Sequence, residues 1–80
     1  MYRILVADDE GIMLEAFKSV ITSTFGDSCT VETAKTGRAV TEIAETFHPD
    51  IVFMDIHMPG INGIQAMREI RKFNTTALFY

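Results

Sequence analysis

The fold is decided by the stretch YRILVADD at residues 2–9, in which an apolar run ends in two adjacent carboxylates. The stretch IVFMD at residues 51–55 repeats this pattern, with no polar position before its carboxylate. Apolar runs of this length are typical of strands inside a parallel sheet that is covered on both faces. If the two runs are neighbouring parallel strands, Asp8, Asp9 and Asp55 converge at the carboxyl edge of the sheet, where open α/β sheets bind their ligands.

Length and composition limit the chain to one small domain with a hydrophobic core, since 48% of its 80 residues are apolar. The net charge of −4 and the lack of a long basic run argue against direct nucleic-acid binding by these residues. No apolar stretch is long enough to span a membrane, and the acidic residues at 8–10 do not fit a signal peptide. Cys29 is the only cysteine and can form no internal disulfide, so we expect a cytoplasmic protein.

Strand and helix patterns alternate along the chain. We predict strands at 2–7, 29–34, 51–54 and from residue 77 onward. We predict helices at 10–25, from Thr36 as N-cap to about Phe47, and after Asn62 as N-cap, with Gln65 completing a capping box. The residues predicted to face the core are Ile12, Ala16, Phe17, Val20 and Ile21 in the first helix, Ala39, Val40, Ile43, Ala44 and Phe47 in the second, and Ile64, Met67, Ile70 and the stem of Arg71 in the third.

Strand adjacency and handedness together predict the topology. Connections between parallel strands of one sheet are right-handed in nearly all proteins. With the first and third strands adjacent, the second strand must lie outside the first, which gives the strand order 2-1-3-4. This is the flavodoxin-like α/β order without its last strand.

The three predicted carboxylates favour metal-assisted chemistry at Asp55. Like charges held together are costly unless a cation neutralises them. Mg²⁺ fits best, because it accepts a few carboxylates while retaining several waters, and it can align a carboxylate with an incoming phosphoryl group. The structural alternatives are that Asp55 caps a turn or helix and that Asp9 caps the helix that follows it.

His57 is a further candidate, because it lies two residues past Asp55 and its side chain could reach the site. No cysteine or second histidine stands at a metal-ligand spacing from it. We therefore favour the backbone carbonyl of His57, rather than its imidazole, as a ligand.

Four motifs at fixed places along the chain point to a known family. They are Asp8-Asp9 after the first strand, Pro49-Asp50 before the third, Asp55 after it, and Met58-Pro59-Gly60 with Gly63. In this combination the chain resembles the receiver domain of bacterial two-component response regulators, and the resemblance covers the whole of residues 1–80.

The resemblance implies that Asp55 accepts a phosphoryl group from the phosphohistidine of a sensor histidine kinase. It implies that Asp9 and Asp55 bind Mg²⁺ directly, together with the main-chain carbonyl of His57, and that Asp8 acts largely through water. It also implies a signalling domain rather than an enzyme. We expect this domain to control an output domain that binds DNA, so that residues 1–80 do not contact DNA themselves.

The chain departs from the family at its C-terminal end. Receiver domains have five strands and five helices, whereas residues 1–80 end inside the predicted fourth strand. We therefore expect an N-terminal fragment of a receiver domain, without the fifth strand and the last two helices. The hydroxyl after strand four and the lysine after strand five, which the resemblance implies, would also be missing. The uncovered apolar strand at residues 77–80 predicts a dimer or higher oligomer of the fragment.

Two other functions stay open at this level. An aspartyl-phosphate phosphatase also uses a carboxylate after a strand, but those enzymes resemble a pattern with a second aspartate two residues further on, where this chain has His57. The other alternative is a receiver-like interaction module that no longer takes phosphate. Mg²⁺ binding that is lost on Asp55→Asn would support the phosphorylatable domain.

Overall fold

The predicted alternation of strands and helices is confirmed in the computed structural model, which describes residues 2–55, 60 and 62–79. The strands are β1 (Tyr2–Ala7), β2 (Cys29–Ala34), β3 (Ile51–Met54) and β4 (Leu78–Phe79). The helices are α1 (Gly11–Phe25), α2 (Gly37–Phe47) and α3 (Gly63–Arg71), and a short 3₁₀ turn, Gly26–Ser28, follows α1. The predicted fourth strand is shorter than expected, since Ala77 precedes it and Tyr80 lies outside the described residues.

The strands form one parallel sheet with the order β2-β1-β3-β4, which confirms the predicted flavodoxin-like topology. In the register of β1 with its neighbours, Ala7 pairs with Ala34 on one side and with Met54 on the other. The residues that follow these three positions therefore emerge at the same carboxyl edge of the sheet.

The two faces of the sheet are covered unequally. One face packs against α2 and α3, and its buried residues are Leu5, Ala7, Ala34, Val40, Ala44, Val52, Ala66 and Ile70. Within the described residues, the other face packs against α1, and its buried residues are Ile4, Val6, Leu14 and Ile21. The chain thus buries a larger core on the α2 and α3 side than on the α1 side.

The predicted caps of α2 and α3 are confirmed. The Thr36 hydroxyl accepts a hydrogen bond from the Ala39 amide at 3.1 Å. The Asn62 side chain accepts from the Gln65 amide at 2.9 Å, and the Gln65 side chain accepts from the Asn62 amide at 3.2 Å. These bonds satisfy amides that a helix start leaves without intrahelical partners.

The predicted inner face of α1 is wrong in part. Leu14 and Ile21 are the buried residues of this helix, whereas Ile12 is 86% exposed and Val20 is 64% exposed. Apolar residues occur around more than half of the helix, so their spacing alone does not predict which face of α1 is buried against the sheet. Leu14 and Ile21 lie seven residues apart, on the narrow stripe that a single helix presents to a sheet.

The predicted inner face of α3 also needs a correction. Ile64 is exposed and Met67 is half-buried, whereas Ala66 and Ile70 are buried. A small residue such as Ala66 lets the helix approach its neighbours closely, which a larger side chain would prevent. The guanidinium of Arg71 lies over the ring of Phe79, 4.7 Å from its centroid, and so connects α3 to β4.

None of the helices in the described part of the chain has the length and hydropathy of a membrane span.

Candidate metal centre

The site lies at the carboxyl edge of the sheet, where hydrogen bonds continue past the last paired residues of the strands. The Asp8 amide donates to the Ala34 carbonyl at 3.1 Å, and the Asp55 amide donates to the Ala7 carbonyl at 2.9 Å. The backbone of both aspartates is therefore fixed to neighbouring strands. Hydrogen bonds of this kind hold the two Cα atoms in place before any ligand arrives.

The structure brings together the carboxylates of Asp8, Asp9 and Asp55. One carboxylate oxygen from each residue lies within 4.8 Å of the other two. Asp8 and Asp55 are half-buried, while Asp9 is exposed to solvent. At this separation each pair of unit charges repels by about 1 to 3 kcal/mol, for effective dielectric constants between those of water and the protein surface.

A cation of the size and hardness of Mg²⁺ fits this cluster. The available donors are carboxylate oxygens, which hard cations prefer. Half-burial of two carboxylates and exposure of the third leave room for the waters that Mg²⁺ retains. Zinc fits less well, because the cluster offers no sulfur or imidazole donor among the described residues.

Asp9 does not cap α1, so this structural alternative is wrong. Glu10 occupies the cap position, and no side chain makes a cap hydrogen bond there. The Asp8 carboxylate instead accepts a hydrogen bond from the Glu10 amide at 3.0 Å. This bond orients Asp8 relative to the start of α1, and it leaves the Asp9 carboxylate on the solvent side of the cluster.

The loop after β3 is described only in part. His57, predicted as a backbone ligand, lies outside the described residues, as do Met58 and Pro59. Gly60 has a φ of 78°, in the left-handed region that favours glycine, so the loop turns there without the strain that a side chain would add. Asn62 then begins α3 with its capping box.

A pocket of about 380 Å³ extends from Asp8 and Asp55 into the space between α1 and the sheet. Its remaining lining residues are Val6, Ala7, Met13, Phe17, Phe53 and Met54. The lining is mostly apolar, and Asp8 and Asp55 are its charged residues. Sequence reasoning missed Met13, although its place one turn after the Asp8-Asp9 pair was the signal that could have identified it.

Comparisons with known proteins agree on one family. The family model described as "Response regulator receiver domain" matches residues 4–79. The chemotaxis protein CheY of Thermotoga maritima is 41% identical over 75 residues, which cover 94% of this chain and 61% of that protein. The transcriptional regulatory protein YdfI of Bacillus subtilis is 28% identical over 78 residues, which cover 98% of this chain and 36% of that protein.

Solved structures give the same result. The response regulator protein TrrA of Thermotoga maritima, in its complex with Mg²⁺ and BeF, matches with a TM-score of 0.87 and 35% identity. The match covers 99% of this chain and 66% of that one. TrrA in complex with the histidine kinase ThkA matches with a TM-score of 0.85, at the same identity and coverage. This chain therefore spans between about one third and two thirds of the length of these relatives.

Proposed function

The chain belongs to the response regulator receiver domain family, and on that premise we propose that Asp55 is the phosphoacceptor of a two-component response regulator. The observation that carries the proposal is the cluster of Asp8, Asp9 and Asp55 carboxylates at the carboxyl edge of the sheet. We propose that Asp9 and Asp55 hold Mg²⁺ directly, with the main-chain carbonyl of His57, and that Asp8 acts through water.

Phosphoryl transfer needs little covalent chemistry from the protein beyond a placed nucleophile and charge neutralisation. A carboxylate oxygen of Asp55 attacks the phosphorus of a phosphohistidine, the new P–O bond forms, and the P–N bond to the imidazole breaks. The imidazole leaves with the electron pair of that bond, as a neutral ring whose other nitrogen carries a proton. Mg²⁺ held by Asp9 and Asp55 would supply positive charge that offsets the charges of the carboxylates and the phosphoryl oxygens. Asp8 and Asp9 maintain the negative potential that attracts the metal, and the strand hydrogen bond of the Asp55 amide fixes the nucleophile.

The proposed phosphoryl donor is a sensor histidine kinase, and the proposed location is the cytoplasm. The kinase assignment is supported by the relative TrrA, whose structure is known in complex with the histidine kinase ThkA. The proposed consequence of phosphorylation is control of a DNA-binding output domain. The similarity to YdfI, which is named as a transcriptional regulatory protein, supports this part of the proposal.

The proposal is tested by phosphorylation with a small-molecule donor, such as phosphoramidate, in the presence of Mg²⁺. We expect intact-mass spectrometry to detect one added phosphoryl group on the wild type and none on Asp55→Asn. Asp27→Asn is the matched control, because Asp27 is an exposed aspartate in the 3₁₀ turn after α1, outside the cluster. Equal phosphorylation of the wild type and Asp55→Asn would refute the assignment of the acceptor. No phosphorylation of the wild type, with Mg²⁺ bound, would favour an interaction module that no longer takes phosphate.

We also propose that the 80-residue chain self-associates through the sheet face that α1 covers only in part. A mostly apolar pocket of about 370 Å³ opens there, lined by Tyr2, Ile4, Ile21, Phe25, Cys29, Ile51 and Phe53. Exposed apolar surface of this kind promotes association between proteins. Among the described residues β4 is an edge strand of the sheet, and such an edge is a second place for contact.

A further inference from the structure

Lys35 is a cationic residue at the carboxyl edge of the sheet that the proposed mechanism does not use. It follows Ala34, the last residue of β2. The Ala34 carbonyl accepts the hydrogen bond from the Asp8 amide. Lys35 and Asp8 therefore leave adjacent strands at the same level of the sheet.

The side chain of Lys35 extends across this edge to the first residue of α1. A Cβ atom built on Gly11 would lie 3.3 Å from the Lys35 ammonium nitrogen and 3.6 Å from its Cε atom. A side chain at Gly11 would therefore be in tight contact with the ammonium at its present position. Gly11 is two residues from Asp9, so the ammonium lies within about 12 Å of the Asp9 Cα atom, given the 3.8 Å spacing of consecutive Cα atoms.

The start of a helix is an unfavourable place for a cation, because the helix dipole is positive at that end. The compensation available here is negative charge from Asp8, Asp9 and Glu10, which immediately precede the helix. Within the described residues, no acidic side chain forms an ion pair with Lys35. Its interaction with the acids therefore acts through space and depends on salt.

We propose that Lys35 is a positioning residue that partly neutralises the acid cluster and thereby weakens cation binding to it. This inference rests on the proposed Mg²⁺ site. The ammonium attracts the carboxylates in both the metal-free and the metal-bound protein, and it repels a cation that enters the cluster. Only the repulsion differs between the two states, so it is the interaction that lowers the affinity.

The test compares Mg²⁺ affinity, measured by calorimetric titration, among the wild type, Lys35→Met, Lys35→Arg and Lys18→Met. Lys18→Met is the matched control, because Lys18 lies in α1 seven residues after Gly11 and is exposed. We expect Lys35→Met to bind Mg²⁺ roughly two- to fourfold more tightly than Lys18→Met, the range for a unit charge and a divalent cation about 10 to 15 Å apart in water. We expect Lys35→Arg to bind like the wild type.

Two salt concentrations separate this electrostatic effect from a structural one. The difference in Mg²⁺ affinity between Lys35→Met and Lys18→Met should be present at about 0.01 M salt and absent at about 1 M. The Debye length is about 30 Å at the lower concentration and about 3 Å at the higher one. Without metal, Lys35→Met should unfold at a lower temperature than Lys18→Met at low salt only. Equal behaviour of these two variants in both measurements would overturn the inference. A wild type that binds no Mg²⁺ would overturn the proposed metal site, and the metal-free comparison would then decide the inference alone.

Discussion

The rings of Phe17 and Phe53 lie with their centroids 4.9 Å apart and their planes inclined at 47°. This contact connects α1 to β3 two residues before Asp55, and both rings line the pocket that extends to the acid cluster. Tilted aromatic pairs at this distance add stability beyond the apolar area that they bury. The pair therefore links the position of α1, which follows Asp8 and Asp9, to the strand that carries Asp55.

Phe17→Ala is expected to lower the free energy of unfolding by about 1 to 2 kcal/mol. This is less than the about 3 to 5 kcal/mol typical of a fully buried phenylalanine, because Phe17 is 37% exposed. Chemical denaturation monitored by circular dichroism measures the change. Val20→Ala on the same helix is the control and should change the free energy by less than about 0.5 kcal/mol, since Val20 is largely exposed. An equal loss in both variants would mean that Phe17 contributes only as a helix residue.

Mg²⁺ is expected to stabilise the wild type and not Asp9→Ala or Asp55→Asn. Each substitution removes a proposed ligand and part of the charge that attracts the cation. At a metal concentration ten times the dissociation constant, the expected gain in the wild type is about 1.4 kcal/mol. Thermal unfolding with and without MgCl₂ measures it, and Asp27→Asn should gain as much as the wild type. Stabilisation of all four proteins to the same extent would show that Mg²⁺ binds elsewhere.

Without metal, Asp55→Asn should be more stable than the wild type by about 1 kcal/mol at low salt. The neutral amide removes the repulsion of Asp55 with Asp8 and Asp9, whose carboxylates lie within 4.8 Å of it. An increase in the free energy of unfolding distinguishes relief of repulsion from the loss of a structural hydrogen bond, which would decrease it. Chemical denaturation in a chelating buffer at low ionic strength measures it, and a less stable Asp55→Asn would contradict the electrostatic account.

Asn62→Ala should lower the free energy of unfolding by about 1 kcal/mol, since it removes the side chain that accepts from the Gln65 amide and caps α3. Asn62→Ser is the matched control and should retain most of the stability, because serine is an equally good N-cap. Urea denaturation of the three proteins measures the difference. A loss as large in Asn62→Ser as in Asn62→Ala would mean that the amide group has a role beyond capping.

The convergence of Asp8, Asp9 and Asp55 could be predicted from the sequence because it depends only on strand order and on where each strand ends. The register that aligns Ala7 with Met54 then places the acids together whatever the side-chain packing. The buried face of α1 could not be predicted in this way. Ile12 and Val20 are as apolar as Leu14 and Ile21, and the choice between them depends on how the helix is rotated on the sheet.

The position of Lys35 was also beyond prediction from the sequence pattern. Its ammonium lies close to Gly11 at the start of α1, and that relation joins residues from two separate elements. Single-residue patterns do not report such a contact. The strand pattern predicts the end of β2 at Ala34, so the edge of the sheet on which Lys35 lies was predictable. The direction of the Lys35 side chain was not.

The last prediction concerns assembly of the 80-residue chain in solution. Phe25 is 52% exposed and lines the apolar pocket that α1 leaves open, so a second copy that covers this face would bury its ring. We expect the wild type to form a dimer or higher species whose population rises with concentration, and Phe25→Glu to shift it toward the monomer, because burying an unpaired carboxylate is costly. Phe73→Glu is the matched control, since Phe73 is also exposed but lies after α3, outside that pocket. Multi-angle light scattering over a range of concentrations measures the species present. A wild type that stays monomeric at every concentration would refute self-association, and equal weakening by both glutamates would show that the α1 face is not where the copies meet.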